Sequence, residues 1–229
     1  MDVIILAGGL GTRLREVIQD IPKPMAPIRD VPFLEHLLNW VTTVPIDNII
    51  MAVGYKNEVI KSHFGENFKG ISINYSVEDA PLGTGGAIVK ALNYVKSEDV
   101  LVLNGDSYFP IDIVSFINVS RLYKSNFSVA LKKMFRFDRY GTVLIDNVSH
   151  NIIQFNEKKF CEEGLINSGI YLIKRNFLEG KIFPEKFSFE TEILEKEAQL
   201  GNLSGQIFEQ PFIDIGIPED YARAESIIN

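Results

Sequence analysis

The sequence predicts a three-layer α/β sandwich with a mixed, mainly parallel central sheet and a small antiparallel extension, on three observations. Short β-branched runs recur through the first half, amphipathic segments separate them, and after about residue 134 strands follow one another with little helix between. The runs "DVIILAG" (2–8), "NIIMAVG" (48–54), "ISINYSV" (71–77), "DVLVLNG" (99–105) and "FSVALKK" (127–133) are too short for helices. Most read as strands buried on both faces, the pattern of a parallel sheet. Between them Phe33, Leu34, Leu37, Leu38, Val41 and Val44 fall on one helical face, as do Ile88, Ala91, Leu92 and Val95 of "GGAIVKALNYV". Helices joining parallel strands imply right-handed crossovers and a sandwich. Further on, "YGTVLI", "NIIQFNE" and "INSGIYLIK" read as the strands of the extension. "SFETEILEKEAQLG" and "PEDYARAESII" read as helices, the second with Pro218 at its first position. No linker, repeat or low-complexity stretch interrupts the chain, so one domain over 1–229 is expected, in two parts meeting near residue 134.

Composition narrows the function classes. With 229 residues, 46% of them hydrophobic, the chain buries a full core. A net charge of −7 gives no general affinity for nucleic acid or anionic membrane, so an anionic ligand must be met by a few placed cations. Cys161 is the one cysteine, which excludes an internal disulfide and a cysteine-based zinc site and favours a reducing compartment. His36, His63 and His150 share no metal-binding spacing. The start, Met1-Asp2-Val3, carries no basic leader, and no apolar run approaches a bilayer's thickness; a cytoplasmic protein is expected. A homodimer is left open.

The chemistry-bearing stretch is "ILAGGLGTRLRE" (5–16), where glycines directly follow a strand and expose backbone N–H groups that bind phosphate oxygens. Two familiar loops fail on specific residues. A dinucleotide fingerprint counted from Gly9 and Gly11 meets Leu14 where its third glycine belongs, and the strand ending near Val53 has no ribose acid. A P-loop closes with Lys-Ser or Lys-Thr, and here Arg13-Leu14 stands instead. What remains is Gly8-Gly9-Leu10-Gly11-Thr12-Arg13 followed by "IPKPMAPI" (21–28), with Lys23 held between two prolines.

That pair resembles the sugar-1-phosphate nucleotidyltransferases, which make nucleoside-diphosphate sugars from a nucleoside triphosphate and a sugar 1-phosphate. The resemblance runs along the chain: "PLGTGGA" (81–87) looks like the second nucleotide loop and "LNGDSY" (103–108) like the strand-end metal aspartate. "YGTV" (140–143), "NEK" (156–158), "NSGIYL" (167–172) and "FIDIGIPEDY" (212–221) look like the sugar-side segments and second metal aspartate. It implies a Rossmann-like fold, small-molecule substrates, Mg²⁺, and a product used in surface polysaccharide synthesis. The short length and "PLGTGGA" look most like heptose 1-phosphate guanylyltransferases. Uridylyltransferases and mannose-1-phosphate guanylyltransferases of the same family are the alternatives.

The resemblance assigns roles residue by residue. Leu6, Ala7, Gly8, Gly9, Gly11 and Thr12 with Pro81, Gly83, Thr84 and Asn104 would hold the nucleotide; a tight strand-to-helix turn would also use the first glycines. Arg13 would offer a planar donor fork to the β- and γ-phosphates and Lys23 would lie beside the α-phosphate and the incoming sugar phosphate; a solvated helix-start charge and a surface lysine are the plainer alternatives. Arg15 reads as solvent-exposed. Asp106, directly after a buried strand, lies at the sheet edge where open α/β folds bind ligands, and with Asp214 would hold one Mg²⁺. Helix capping or a local turn would also use these two acids. Asp112 and Asp220 fit better as helix-start residues. On the sugar side Lys158 would neutralise the phosphate while Glu157 accepts hydroxyl hydrogen bonds, with Tyr140, Gly141, Asn167 and Gly169 as further contacts; a solvated charge cluster and turn punctuation are the plainer alternatives. Glu78, just before the second loop, is placed to accept from guanine N1–H and its exocyclic amine, or is a surface acid beside Asp79.

A mechanism follows from charge placement. A sugar 1-phosphate has a second pKa of about 6, so near neutral pH its oxygen needs no general base. Attack on the α-phosphorus expels pyrophosphate, and catalysis is chiefly positioning and charge neutralisation. The alternative from another class, a non-catalytic sugar-nucleotide sensor, could dispense with Arg13, Asp106 and Asp214, and the presence of all three argues against it. Six-residue repeats of a β-helix are not visible, so no second acyltransferase activity is expected.

Overall fold

The computed structural model describes every residue but 10, 15–17, 19, 124 and 229, and leaves out the side chain of Thr12; Arg15 and Leu10 therefore lie outside the described residues. Among these, a ten-stranded sheet runs through the molecule in the order β11-β10-β12-β7-β1-β4-β6-β5, with β9 and β13 branching from β12. Its parallel centre is β7 (Asp99–Asn104), β1 (Asp2–Leu6), β4 (Asn48–Val53) and β6 (Ile71–Val77), edged by the short β5 (Asn67–Phe68). Each centre strand is apolar on both faces because helices cover both. Val3, Ile5, Ile49, Met51, Leu101 and Leu103 pack toward α1 (Phe33–Val41), α2 (Asn57–Phe64) and α4 (Ile113–Tyr123). Ile4, Ile50, Val100 and Val102 face α3 (Gly83–Ala91) and the buried Phe127, Tyr171 and Phe189.

The mixed part begins at β12 (Cys161–Lys174), which pairs antiparallel with β7 through Ile170↔Leu103 to Lys174↔Asp99. The extension β10 (Thr142–Ile145) and β11 (Ile152–Phe155) is thus continuous with the central sheet. β9 (Phe127–Phe137) pairs antiparallel with β12 and parallel with β13 (Leu203–Phe208). This corrects one expectation: the run 127–133 does not join the parallel centre. It is buried on both faces as those strands are, and periodicity carries no information about strand direction. Val44 lies past the end of α1, yet still packs on the core, and a 3₁₀ turn, Leu92–Tyr94, follows α3. Pro218 opens α7 (Pro218–Ile227) as expected; α5 (Arg175–Leu178) and α6 (Glu195–Gln199) are short.

Two small antiparallel ribbons complete the fold, β2–β3 (Pro27–Ile28 and Val31–Pro32) and β8–β14 (Ser107–Tyr108 and Ile213–Asp214). A third apolar cluster joins the chain's two ends, packing Leu14, Ala26, Ile28 and Phe33 against Ile213, Ile215, Ala224 and Ile228. Among the described residues no helix is long and apolar enough to cross a membrane.

Candidate active site

The carboxyl ends of β6, β4, β1 and β7 share one edge of the sheet, and the turns leaving them build the site. Antiparallel β12 brings Asn167 and Gly169 to the same edge, where Gly169 lies against the Asn104 side chain. Along that edge the expected base-side, phosphate-side and sugar-side residues follow in order.

In the middle stand two carboxylates and one cation. Asp106 follows β7 and Asp214 ends β14; pairing of Ser107 with Asp214 in the β8–β14 ribbon sets the acids side by side despite their separation in sequence. Lys23 sits in a 3₁₀ turn, Lys23–Met25, with Pro22 before it and Pro24 after. Its side chain, 11% exposed, donates to Asp106 Oδ2 at 2.7 Å and lies 3.6 Å from Asp214 Oδ1. Gly11 adopts φ +58° over it, where a Cβ would come within 2.8 Å of Lys23 Cβ. Burial and then the charge of Asp106 raise the Asp214 pKa, with Lys23 opposing. The simpler roles are present too: Ser107 donates to Asp106, and the Gly216 amide donates to Asp214. Two crowded carboxylates with an all-oxygen donor set suit Mg²⁺, which takes one or two carboxylates and completes its shell with phosphate oxygens and water. Beside them the buried Asn104 Oδ1 has no hydrogen-bond donor among the described residues.

On the base side a cavity of about 290 Å³ opens between Leu6, Gly8 and Gly9 and the second loop's Pro81, Gly83 and Thr84, with Glu78 in its wall. Glu78 ties the loops together: Oε2 accepts from the Leu82 amide at 2.9 Å, and a Cβ on Gly8 would come within 2.6 Å of Oε1. Burial raises its pKa, with the Leu82 amide and Lys90 opposing. Ala7 is buried and bonded through its amide to β4, so it shapes the loop from below. Arg13 is exposed on a 3₁₀ turn, Thr12–Leu14, anchored by the buried Leu14.

The second loop is braced from behind by residues 187–190. Gly85 N donates to Phe187 O, Phe187 N to Leu82 O, and Phe189 N to Thr84 Oγ1, which in turn donates to Glu190 Oε2 at 2.7 Å. The Thr84 hydroxyl is therefore engaged in this brace, while the residue lines the base-side cavity. Gly83 has φ +72°, and a Cβ there would meet Phe187 O at 2.4 Å. Gly83→Ala should accordingly cost about 2 kcal/mol or more from left-handed strain and overlap, read as a lower Tm with weakened nucleotide binding.

On the sugar side a cavity of about 350 Å³ is lined by Tyr140, Gly141, Glu157, Lys158 and Asn167 together with Glu190 and Glu195. Glu157 and Lys158 are exposed at its rim. Burial and the nearby Asp214 raise the Tyr140 pKa. The amide of Asn167 is taken up inside the protein, Nδ2 donating to Tyr171 OH and Oδ1 accepting from Gly169 N, so it shapes the wall more than it offers a free contact. Asp112 does start a helix, accepting from Ser115 N. Asp220 is more than a helix-start residue, because it is buried and paired with Arg139 and Arg223.

Three residues escaped the sequence reading. Arg139, against the Tyr140 ring, adds a cation whose charge couples to Asp214. Glu190 and Glu195 are five apart and share no α-helical face, but Glu190–Leu194 winds as a π-turn with the Glu195 amide on the Glu190 carbonyl, and both acids reach the cavity. Nothing in 3.6-residue periodicity announces that.

Residues 2–229 match the protein family described as Nucleotidyl transferase. The chain is 50% identical to the D-glycero-alpha-D-manno-heptose 1-phosphate guanylyltransferase of Campylobacter jejuni over 96% of this chain and 97% of that one. It is 45% identical to the enzyme of that name from Aneurinibacillus thermoaerophilus, over 98% and 97%. The crystal structure of HddC from Yersinia pseudotuberculosis complexed with GMP-PN superposes with a TM-score of 0.84 at 36% identity, covering 98% of both chains.

Proposed function

The chain belongs to the nucleotidyl transferase family, and on that premise we propose that it transfers the guanylyl group of GTP to D-glycero-α-D-manno-heptose 1-phosphate, releasing pyrophosphate. The observation that carries the chemistry is the placing of a base-side and a sugar-side cavity along one sheet edge, with the cluster of Lys23, Asp106 and Asp214 between them. Guanine enters the cavity beside Glu78 and the sugar enters beside Tyr140, Glu157 and Lys158. An oxygen of the sugar phosphate attacks the α-phosphorus, and the bond from that phosphorus to the β-phosphate oxygen breaks. Lys23 holds the α-phosphate and the incoming phosphate together, Arg13 meets the β- and γ-phosphates, and Lys158 neutralises the acceptor. Mg²⁺ held by Asp106 and Asp214 would supply further positive charge to the triphosphate. No side chain is asked to remove a proton, since the attacking phosphate is already ionised near neutral pH. The reading includes a cytoplasmic setting, which suits the free thiol of Cys161.

Pyrophosphate release across GTP, UTP and dTTP with manno-configured heptose 1-phosphate, mannose 1-phosphate and glucose 1-phosphate tests this. GTP with the heptose should be fastest; equal use of GTP and UTP would remove the guanine assignment, and glucose 1-phosphate as best acceptor would remove the heptose. GTP should lead UTP by about 1–3 kcal/mol, the scale of a good paired hydrogen bond to a base. Glu78→Gln should shrink that lead: its amide oxygen stays on the Leu82 N–H, which turns the NH₂ toward the base, wrong for guanine N1–H and right for a uracil carbonyl. Because burial raises the Glu78 pKa, the lead in kcat/KM should fade on acidification at a pH above the ordinary carboxylate range. The Gln variant should show no such fading.

A further inference from the structure

We infer that Glu190 reads a hydroxyl of the sugar substrate, and that the same carboxylate fixes the second nucleotide loop through Thr84. This rests on the reading of the second cavity as the sugar 1-phosphate site. Glu190 Oε2 accepts from Thr84 Oγ1 at 2.7 Å and from Ser188 Oγ at 2.8 Å. Both lone pairs of that oxygen are taken. Oε1 has no hydrogen-bond donor among the described residues, while the side chain lines the 350 Å³ cavity.

A carboxylate accepts and does not donate, so what meets Oε1 must bring a hydrogen. A sugar hydroxyl does and a fully ionised phosphate does not, which turns the phosphate end of the ligand toward Lys158 and its hydroxyl end toward Glu190. Glu157 is the expected hydroxyl acceptor, but it is exposed and makes no hydrogen bond to a described residue. Glu190 is half-buried and pinned by two donors and a π-turn, so little side-chain freedom is lost when a ligand arrives. A site that hydrogen-bonds a substrate hydroxyl rejects the analogue lacking it more strongly than an apolar wall rejects a small change in size.

The test is the affinity of mannose 1-phosphate and its 2-, 3-, 4- and 6-deoxy analogues, measured by calorimetry with α,β-methylene-GTP present, for the wild type, Glu190→Gln and Glu190→Leu. The wild type should penalise one analogue about 10-fold or more, the range for a hydrogen bond to a charged acceptor. Glu190→Leu should bind the parent sugar as weakly as that analogue, erasing the one penalty and leaving the others. Glu190→Gln should fall between them on the sugar and keep nucleotide affinity near wild type, since its amide oxygen still serves Thr84 and Ser188. Glu190→Leu should lose nucleotide affinity as well. An unchanged analogue profile in both variants, or a uniform loss across all analogues in the well-folded Gln variant, overturns the inference. A wild type that shows the Glu190-dependent profile but releases no pyrophosphate from GTP overturns nucleotidyl transfer alone and supports Glu190. Normal turnover with an unchanged profile does the reverse.

Discussion

Asp106→Asn should lower kcat about 10²-fold or more, the scale of losing one key electrostatic group, while folding stays within about 0.5 kcal/mol of wild type. The two halves of that expectation have separate causes. Asp106 stands beyond the end of β7 with its side chain 38% exposed, so Asn removes charge and no core volume. The amide oxygen still accepts from Lys23, and the β8–β14 ribbon still closes through its backbone, including the bond from Ile215 N to Asp106 O. What disappears is one of the two negative charges that, on the proposed reading, would hold the cation beside the reacting phosphates. Stopped-flow pyrophosphate release at saturating substrates, with a melting curve on the same sample, measures both. Full turnover with Mg²⁺ would end the assignment of Asp106 to the metal.

Lys23→Met should be comparably severe, about 10²- to 10³-fold in kcat/KM, and should act on both substrates. Lys23 touches both carboxylates and is held with its terminal amine between them by two flanking prolines. Met matches its length, so the packing under Gly11 survives and the charge does not. Arg13→Ala provides the contrast. Arg13 is exposed and on the proposed reading would meet the far end of the triphosphate, so its loss should fall on kcat and on the KM for GTP, sparing the KM for the sugar phosphate. Initial-rate kinetics varying each substrate in turn distinguish the two; identical profiles would mean that one of the roles is misassigned.

Much of this arrangement was readable in advance because it is local. The four parallel strands announce themselves as β-branched runs, and the glycines and prolines that shape the first loop are neighbours in sequence. The order of base-side, phosphate-side and sugar-side segments follows from which strand end each one leaves. The rest depends on pairing across the chain. The direction of β9, the approach of Asp214 to Asp106 through a two-residue ribbon, and the capture of the Thr84 hydroxyl by Glu190 are contacts between distant segments. Windowed periodicity carries no record of them. The π-turn is a different case: it is local, but it breaks the 3.6-residue rule on which the helical reading rests.

The joining of the chain's two ends has a consequence for how the enzyme comes into being. The segment carrying Leu14, Ala26 and Ile28 finds its apolar partners on β14 and α7, and the Tyr221 hydroxyl bonds to the Pro27 carbonyl across 194 residues of chain. On a ribosome adding about 5–20 residues per second, the strands of the parallel centre emerge well before those partners do. A nascent chain can assemble that centre while the turn bearing Lys23 still lacks Asp214 and the surface it packs on. Competence for chemistry therefore arrives late in synthesis, as the partners near the far end of the sequence are delivered, because a chain stopped before residue 213 lacks both Asp214 and the surface on which the Lys23 turn packs.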